Sequence, residues 1–173
     1  MKLAILFCFV TFWRTDPVSF YTLPFNSLDR EVNMQSFQGR KLLLVNIATG
    51  SPYSNQLGQL YRLKQEYKDS LMILVFPSNS FGHEIHSNAE LRNYFSTTFD
   101  SSFILSEKID VVGSNIHPIY NWLTDQGKNG NLNFPISSDF QKYLISESGE
   151  LVGIFAPSVN PLSSELRTAI NAH

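Results

Sequence analysis

Residues 41–77 read KLLLVNIATGSPYSNQLGQLYRLKQEYKDSLMILVFP, and this stretch decides the fold. Residues 41–48 form an almost continuous apolar run, as is typical of a strand buried on both faces. Between residues 54 and 67, leucines recur at a spacing of three, which predicts an amphipathic helix. A second apolar run covers residues 70–76 and stops at Pro77, so it predicts another buried strand. A strand, a helix and a strand in this order predict a right-handed parallel crossover.

The chain on either side of this stretch continues the alternation of strand and helix patterns. The predicted elements are a short helix at 88–95, a helix from about 117, strands at 141–145 and 151–155, and a last helix from about 161. Ser148-Gly149 lies between the two strands and predicts a hairpin. The fold class is therefore α/β, with a central mixed β-sheet flanked by helices on both faces. In such sheets chemistry is found at the carboxyl ends of the strands, which are here the loops 48–52 and 76–82.

Composition limits the classes of function. The chain has 173 residues, 43% apolar and 16% charged, which suits one globular domain. Its formal charge of −2 gives no general attraction to nucleic acid, so no nucleic-acid partner is expected. The single cysteine, Cys8, excludes an intramolecular disulfide, a cysteine-based zinc site and a two-cysteine redox cycle within one chain.

The first residues resemble a targeting segment. Lys2 precedes an apolar run over residues 3–13, about half the roughly 20 residues that a membrane-spanning helix needs. That length fits the core of a signal peptide, although no A-x-A cleavage pattern follows. We therefore expect residues 1–18 to be a signal peptide or an N-terminal hydrophobic segment, and 19–173 to be the folded domain. The expected location is periplasmic, extracellular or envelope-associated, and cytoplasmic if the segment is no signal; a retained anchor and a buried N-terminal strand stay open.

Three segments carry a family likeness. Residues 46–52, N-I-A-T-G-S-P, resemble the N-V-A-S-x-C-G segment of the glutathione peroxidases. Residues 76–82, F-P-S-N-S-F-G, resemble the family's F-P-C-N-Q-F-G, and residues 138–144, S-D-F-Q-K-Y-L, resemble W-N-F-x-K-F-L. The likeness runs in register from about Ser19 to Ile170. It implies a thioredoxin-like fold for this domain.

The likeness fails where the family does its chemistry. A glutathione peroxidase reduces a hydroperoxide with a cysteine or selenocysteine that is oxidised and then recycled by thiols. That position is Ser51 here, and the family's Gln, Trp and Asn partners correspond to Ser80, Ser138 and Asp139. A serine hydroxyl hardly ionises at neutral pH, and Asp139 adds negative charge that disfavours an anion nearby. The resolving cysteine of some members is also absent, at about Phe95.

Two functions therefore compete. The first is a member without peroxidase chemistry, which acts as a binding or regulatory module for a small-molecule or protein ligand that the sequence does not name. The second is an active peroxidase that uses glutathione or thioredoxin to reduce hydroperoxides under oxidative stress. The second needs a thiol from another molecule or from Cys8. No cofactor is expected in either case.

Ser51 could also be a hydrolase nucleophile, because it lies at a strand-to-helix turn. Its general base would have to be one of four histidines, and no G-x-S-x-G elbow is present. A serine that caps the helix starting near residues 52–54 is the simpler interpretation.

The loop 82–87, G-H-E-I-H-S, places two imidazoles and a carboxylate close together. His83, Glu84 and His86 are candidate zinc or copper ligands, but nothing nearby in sequence supplies a ligand from another part of the chain. A solvated polar loop is the expectation. The polar turn at residues 127–133 replaces an assembly insertion of tetrameric relatives, which favours a monomer.

Overall fold

The computed structural model describes residues 18–29, 31–100, 102–131 and 133–173. The apolar run 3–13 and Cys8 lie outside these residues, as does nearly all of the predicted N-terminal segment. No helix within the described ranges is long and apolar enough to cross a membrane.

The described residues form five strands and five α-helices. The strands are β1 (Lys41–Ile47), β2 (Leu71–Pro77), β3 (Ile104–Leu105), β4 (Lys142–Ile145) and β5 (Leu151–Phe155). The helices are α1 (Gln56–Tyr67), α2 (Asn88–Phe99), α3 (Pro118–Thr124), α4 (Gln126–Asn129) and α5 (Ser164–Ala172). Three short 3₁₀ turns cover Phe20–Thr22, Met34–Phe37 and Lys68–Ser70.

The strands form one mixed sheet in the order β3-β2-β1-β4-β5. β1 runs parallel to β2, with Lys41 beside Leu71 and Ile47 beside Pro77, and β2 runs parallel to β3. β4 is antiparallel to both β1 and β5. The predicted parallel pairing around α1, the hairpin and the mixed sheet are therefore confirmed.

Each face of the sheet carries its own apolar core, because side chains alternate along a strand. Leu42 and Leu44 of β1 belong to one core, and Leu43 and Val45 belong to the other. α3 packs on the first face, whereas α1, α2 and α5 pack on the second. Helices on both faces were predicted, and the structure confirms them.

Some element boundaries differ from prediction for local reasons. α2 continues past residue 95 because Leu91, Phe95 and Phe99 form one buried stripe, and the helix ends at Asp100 in the left-handed conformation, φ 47°. Pro77 closes β2 instead of following it, and its carbonyl accepts a hydrogen bond from Ile109 N at 3.0 Å. α5 begins only at Ser164, where the Ser163 side chain accepts from Leu166 N.

Candidate functional site

Three loops meet at one edge of the sheet. β1 and β2 are parallel, so both carboxyl ends lie there, and antiparallel β4 begins there. Backbone hydrogen bonds join the loops: Gly50 N donates to His83 O at 3.0 Å, and Phe140 N donates to Asn46 O at 2.6 Å. The loops predicted to hold the site therefore share one edge, together with the segment that leads into β4.

Ser51 lies on the loop that follows β1 and is buried. The residue is only 3% exposed, and its Oγ accepts a hydrogen bond from Tyr53 N at 3.3 Å. Its carbonyl accepts from Ser54 N at 3.0 Å. The prediction that Ser51 caps the following helix is therefore wrong. Ser51 accepts a hydrogen bond within a turn, and α1 begins only at Gln56. The turn intervenes because it carries the chain from β1 into α1.

The other two serines of the predicted set also make structural contacts. Ser80 Oγ accepts from Val111 N at 3.0 Å and from Ser78 Oγ at 2.9 Å, so it holds the chain after β3 against the loop after β2. Ser138 accepts from Asn46 Nδ2 at 3.0 Å through its carbonyl. Among hydrogen bonds of the described ranges, none joins two of Ser51, Ser80, Ser138 and Asp139. The four residues share the sheet edge without forming a connected network.

Asp139 has a different partner, which the sequence did not predict. Its Oδ2 lies 2.6 Å from His83 Nδ1. The carboxylate is fully buried, whereas the imidazole is 41% exposed. Asp139 Oδ1 is buried without a hydrogen-bond partner in the described part of the chain. Both residues were candidates from sequence, and the adjacency of their loops was the only available signal for pairing them.

Glu84 is the second buried carboxylate of this edge, at 0% exposure. It accepts from Thr49 N at 2.7 Å, from Thr49 Oγ1 at 3.0 Å and from His86 N at 3.1 Å. His86 Nδ1 lies 3.1 Å from Glu84 Oε1 and 2.8 Å from Thr49 Oγ1. The expectation of a solvated polar loop is wrong for Glu84, because several donors replace the water that a carboxylate otherwise needs. Ile85, at the tip of the loop, is 83% exposed.

The candidate metal ligands do not converge as a set of three. His83 turns toward Asp139, and Glu84 is occupied by the donors of Thr49 and His86. Within the residues that the structure describes, no three His, Cys, Asp or Glu side chains are arranged to hold a metal ion. Any ion at this edge would therefore have at most two such ligands.

The His83–Asp139 pair has the geometry of a general base and the group that orients it. A hydrolytic serine would have to hydrogen-bond to that imidazole. In the described residues, Ser51 Oγ is hydrogen-bonded to Tyr53 N and not to His83. The structure therefore supplies a base for the hydrolase hypothesis but not the contact between base and nucleophile.

Lys142 lies beside this edge on β4 and is fully buried. Its Nζ donates to Val159 O at 2.7 Å and to Pro157 O at 3.1 Å, and Gln56 Nε2 donates to the same Pro157 carbonyl at 2.8 Å. Burial lowers the pKa of the Lys142 ammonium to about 7. No role was predicted for this lysine from sequence, and its contacts fix the loop between β5 and α5.

Two cavities open on either side of Thr49 and His86. The first has a volume of about 300 Å³ and is lined by Thr49, Gly50, Gly82, His83, Ile85 and His86. The second has about 350 Å³ and is lined by Thr49, His86, Glu90, Leu91 and Tyr94. The edge thus offers two small cavities whose lining includes His83 and His86.

Comparison with known proteins gives a consistent result. A family model described as glutathione peroxidase matches residues 20–124. The chain is 33% identical over 138 residues to the glutathione peroxidase homolog BsaA of Bacillus subtilis, covering 79% of this chain and 86% of that protein. Its structure resembles the crystal structure of Trgpx in apo form, with a TM-score of 0.65, 28% identity, and coverage of 89% of this chain and 96% of the other.

More distant structures share the fold alone. A thioredoxin family protein from Chlorobium tepidum, described as a thiol:disulfide interchange protein, superposes with a TM-score of 0.58 at 12% identity. The superposition covers 90% of this chain and 98% of that protein. The fold is therefore thioredoxin-like, as the sequence resemblance implied.

Proposed function

The chain belongs to the glutathione peroxidase family, and we propose that it is a member that binds a ligand instead of reducing hydroperoxides. One observation supports this most. Ser51, which the sequence resemblance places at the position of the peroxidatic residue, has a buried hydroxyl that accepts a hydrogen bond from Tyr53 N. The Ser51 hydroxyl therefore stabilises the turn before α1.

The difference in reactivity between a serine hydroxyl and a cysteine thiol supports the same proposal. Reduction of a hydroperoxide requires a nucleophile that ionises near neutral pH, takes up one oxygen as a sulfenic or selenenic acid, and is then reduced by thiols, which release that oxygen as water. A serine hydroxyl does none of these. The carboxylate of Asp139, which replaces an amide of the family motif, adds negative charge at the edge where an anionic nucleophile would have to be stabilised.

The ligand would enter from the sheet edge. The cavity of about 300 Å³ beside Thr49 and His83 is suited to a small molecule or to one side chain of a protein partner. Its polar groups are imidazoles held by buried carboxylates. We propose this cavity, and not the Ser51 hydroxyl, as the binding site of the family member.

The alternative is an active peroxidase that takes electrons from glutathione or thioredoxin. The family framework supports it, and the required thiol would be Cys8, which lies outside the described residues, or a thiol of another molecule. Peptide mapping by mass spectrometry after treatment with hydrogen peroxide separates the two. We expect no oxidation of the peptide that carries Ser51 and no rapid oxidation of Cys8. A Cys8 sulfenic acid that forms faster than in the unfolded chain, and that glutathione reverses, would support the alternative.

A gain-of-function series tests whether residue 51 is still equivalent to the family position. Ser51→Cys should give slow oxidation of the new thiol by peroxide. Adding Ser80→Gln, Ser138→Trp and Asp139→Asn should raise the rate, because these changes restore the family's polar partners. Tyr53 N can donate a hydrogen bond to the side chain at position 51 in every variant, so the turn before α1 keeps its donor throughout the series. No oxidation in any variant would show that the edge has changed by more than four side chains.

Export and a monomeric state remain part of the proposal. The apolar run at residues 3–13 supports export, and the intact mass of the protein purified from its host would show whether that segment is removed. The retained N-terminal mass would contradict a cleaved signal. Light scattering in solution would test the monomer.

A further inference from the structure

We propose that His83 and His86 form a two-histidine site for a divalent transition-metal ion in the cavity beside Thr49 and Gly50. The site lies in the cavity proposed above for ligand binding, so it rests on that part of the proposed function, but it does not depend on the loss of peroxidase activity. Both imidazoles line the same cavity of about 300 Å³. The side chains are 41% and 46% exposed, so each ring has one side toward the protein and one toward solvent.

The hydrogen bonds determine which ring nitrogen is free. His83 Nδ1 lies 2.6 Å from Asp139 Oδ2, and an ionised carboxylate only accepts hydrogen bonds, so Nδ1 carries the proton. His86 Nδ1 lies 3.1 Å from Glu84 Oε1. The Thr49 hydroxyl donates its single proton to that carboxylate at 3.0 Å. Thr49 Oγ1 also lies 2.8 Å from His86 Nδ1, and because its proton is already used, His86 Nδ1 is the donor in that contact. In the neutral imidazoles, both Nε2 atoms keep a lone pair.

Metal-binding histidines are typically held in this way. A ligating histidine usually donates its other N–H to a carboxylate or carbonyl, which fixes the tautomer and makes the free nitrogen a better donor to the metal. Here the arrangement occurs twice within four residues, and both carboxylates, Asp139 and Glu84, are fully buried. Each carboxylate therefore holds its imidazole through Nδ1, and within the part of the chain that the structure describes no hydrogen bond occupies either Nε2.

The backbone brings the two rings to the same turn. Gly50 N donates to His83 O at 3.0 Å, and a Cβ at Gly50 would lie only 2.7 Å from that oxygen, so glycine permits this approach. Thr49 Oγ1 lies 2.8 Å from His86 Nδ1. Consecutive residues of the β1–α1 turn thus contact both histidines.

The donor set selects the class of ion. Neutral imidazole favours Cu²⁺, Ni²⁺ and Zn²⁺, whereas Mg²⁺ and Ca²⁺ prefer oxygen ligands. Two protein nitrogens leave coordination positions for water or for a small ligand. Cu²⁺ is the appropriate probe because, among the divalent ions of the first transition row, it binds a given nitrogen site most tightly.

The test uses the full chain without a polyhistidine tag and Cu²⁺ as the only added metal. Isothermal titration should give one Cu²⁺ per chain, and electron paramagnetic resonance should show coupling to imidazole nitrogen. His83→Gln and His86→Gln should each weaken binding at least about tenfold. The glutamine amide can still donate to the buried carboxylate, so the fold is preserved. Asp139→Asn should weaken binding by about 10–100-fold, as is usual when the carboxylate behind a ligating histidine is lost.

His173→Gln is the matched control, because this histidine is exposed at the end of α5 and should not affect Cu²⁺ binding. Equal affinity and stoichiometry in the folded His83→Gln/His86→Gln double variant would overturn the proposal. A loss in only one of the two single variants would overturn the shared site, and absence of binding by the unchanged chain would do the same. Peroxide consumption is measured separately, so this result and the proposed function can fail independently.

Discussion

A lysine inside the sheet shows how single residues of this protein depend on their burial. Lys142 has no exposed surface, and its ammonium is satisfied by the carbonyls of Pro157 and Val159 instead of by a carboxylate. Carbonyl dipoles replace only part of the lost hydration, so burial lowers the pKa to about 7. The lysine orders the loop between β5 and α5 through these contacts, but the burial that they require disfavours its charge.

Stability should consequently rise with pH on account of Lys142. Its pKa is about 7 in the folded chain and 10.5 when unfolded, so between these values the unfolded state binds more protons. The free energy of unfolding then increases with pH, by at most about 1.4 kcal/mol per pH unit for one group. Urea titrations at pH 7, 8 and 9 measure this, with Lys142→Met as the reference because it lacks the titrating group. A difference between the two proteins that stays flat or falls over this range would contradict the assignment.

Residues of the site were only partly predictable from sequence. Ser51 and Ser80 were predicted on two loops at one sheet edge, and the family resemblance added Ser138 and Asp139; the structure brings the segment of the latter two to the same edge. The bond between His83 and Asp139, which are 56 positions apart, was not predicted. Such a pair depends on side-chain direction, which loop adjacency leaves open. Burial of Glu84 was missed for a related reason, since charged residues are rarely buried without partners that only the fold supplies.

At the scale of elements, the N-terminus of α2, the helix beside the site, is held by a capping box. Ser87 and Glu90 form a capping box at α2: Ser87 Oγ accepts from Glu90 N at 3.3 Å, and the Glu90 carboxylate accepts from Ser87 N at 2.7 Å. The capping box begins directly after His86, so it also fixes the end of the loop that carries His83 and His86. A cap at Ser87 or Asn88 was predicted from sequence, and Ser87 is confirmed.

Ser87→Ala should lower the free energy of unfolding by about 1 kcal/mol, because both bonds of the box depend on this residue's conformation and hydroxyl. Chemical denaturation followed by circular dichroism gives the value. Ser96→Ala is the control on the same helix, where the hydroxyl is exposed and bonds only to Asn93 O. It should change stability by less than about 0.5 kcal/mol. Equal effects of the two substitutions would argue against the capping box.

Two glycines should respond oppositely to alanine. Gly149 in the β4–β5 turn has φ +87°, and a Cβ there would lie 2.6 Å from Tyr21 Cε2. Gly58 is exposed in α1, and a Cβ added there would meet nothing within 4 Å. Gly58→Ala should therefore stabilise the protein by about 0.5–1 kcal/mol, and Gly149→Ala should destabilise it by more than about 1 kcal/mol. Thermal unfolding measures both, and a stabilising Gly149→Ala would refute the hairpin geometry.

At the scale of the whole molecule, the fold follows from patterns that are local in sequence. The apolar runs at 41–48 and 70–76 predicted β1 and β2 because a strand that is buried on both faces is apolar along almost its whole length. Alternate residues of β1 then supply two cores, and the helices on either face cover them. Boundaries were less predictable, as α1 shows, because the turn after Ser51 delays the helix to Gln56.

The molecule thus keeps the framework of a glutathione peroxidase, and its sheet edge holds two carboxylate–imidazole pairs. We propose that the peroxidatic thiol has been lost from this edge. The framework is set by apolar packing, which tolerates changes at the loops. Ser51, Ser80 and Asp139 each make hydrogen bonds to the protein's own loops. Family membership and peroxidase activity are therefore separate properties of this chain in our proposal.

The most direct test of that separation is the rate at which the purified, metal-free chain consumes hydrogen peroxide or an organic hydroperoxide with glutathione, or with thioredoxin and its reductase. We predict a rate equal to that of heat-inactivated protein with both reductants, with and without residues 1–18. Turnover above that control with either reductant would contradict the proposed loss of peroxidase chemistry; its loss on removal of residues 1–18 would assign it to that segment, and its loss in Ser51→Ala would assign it to Ser51.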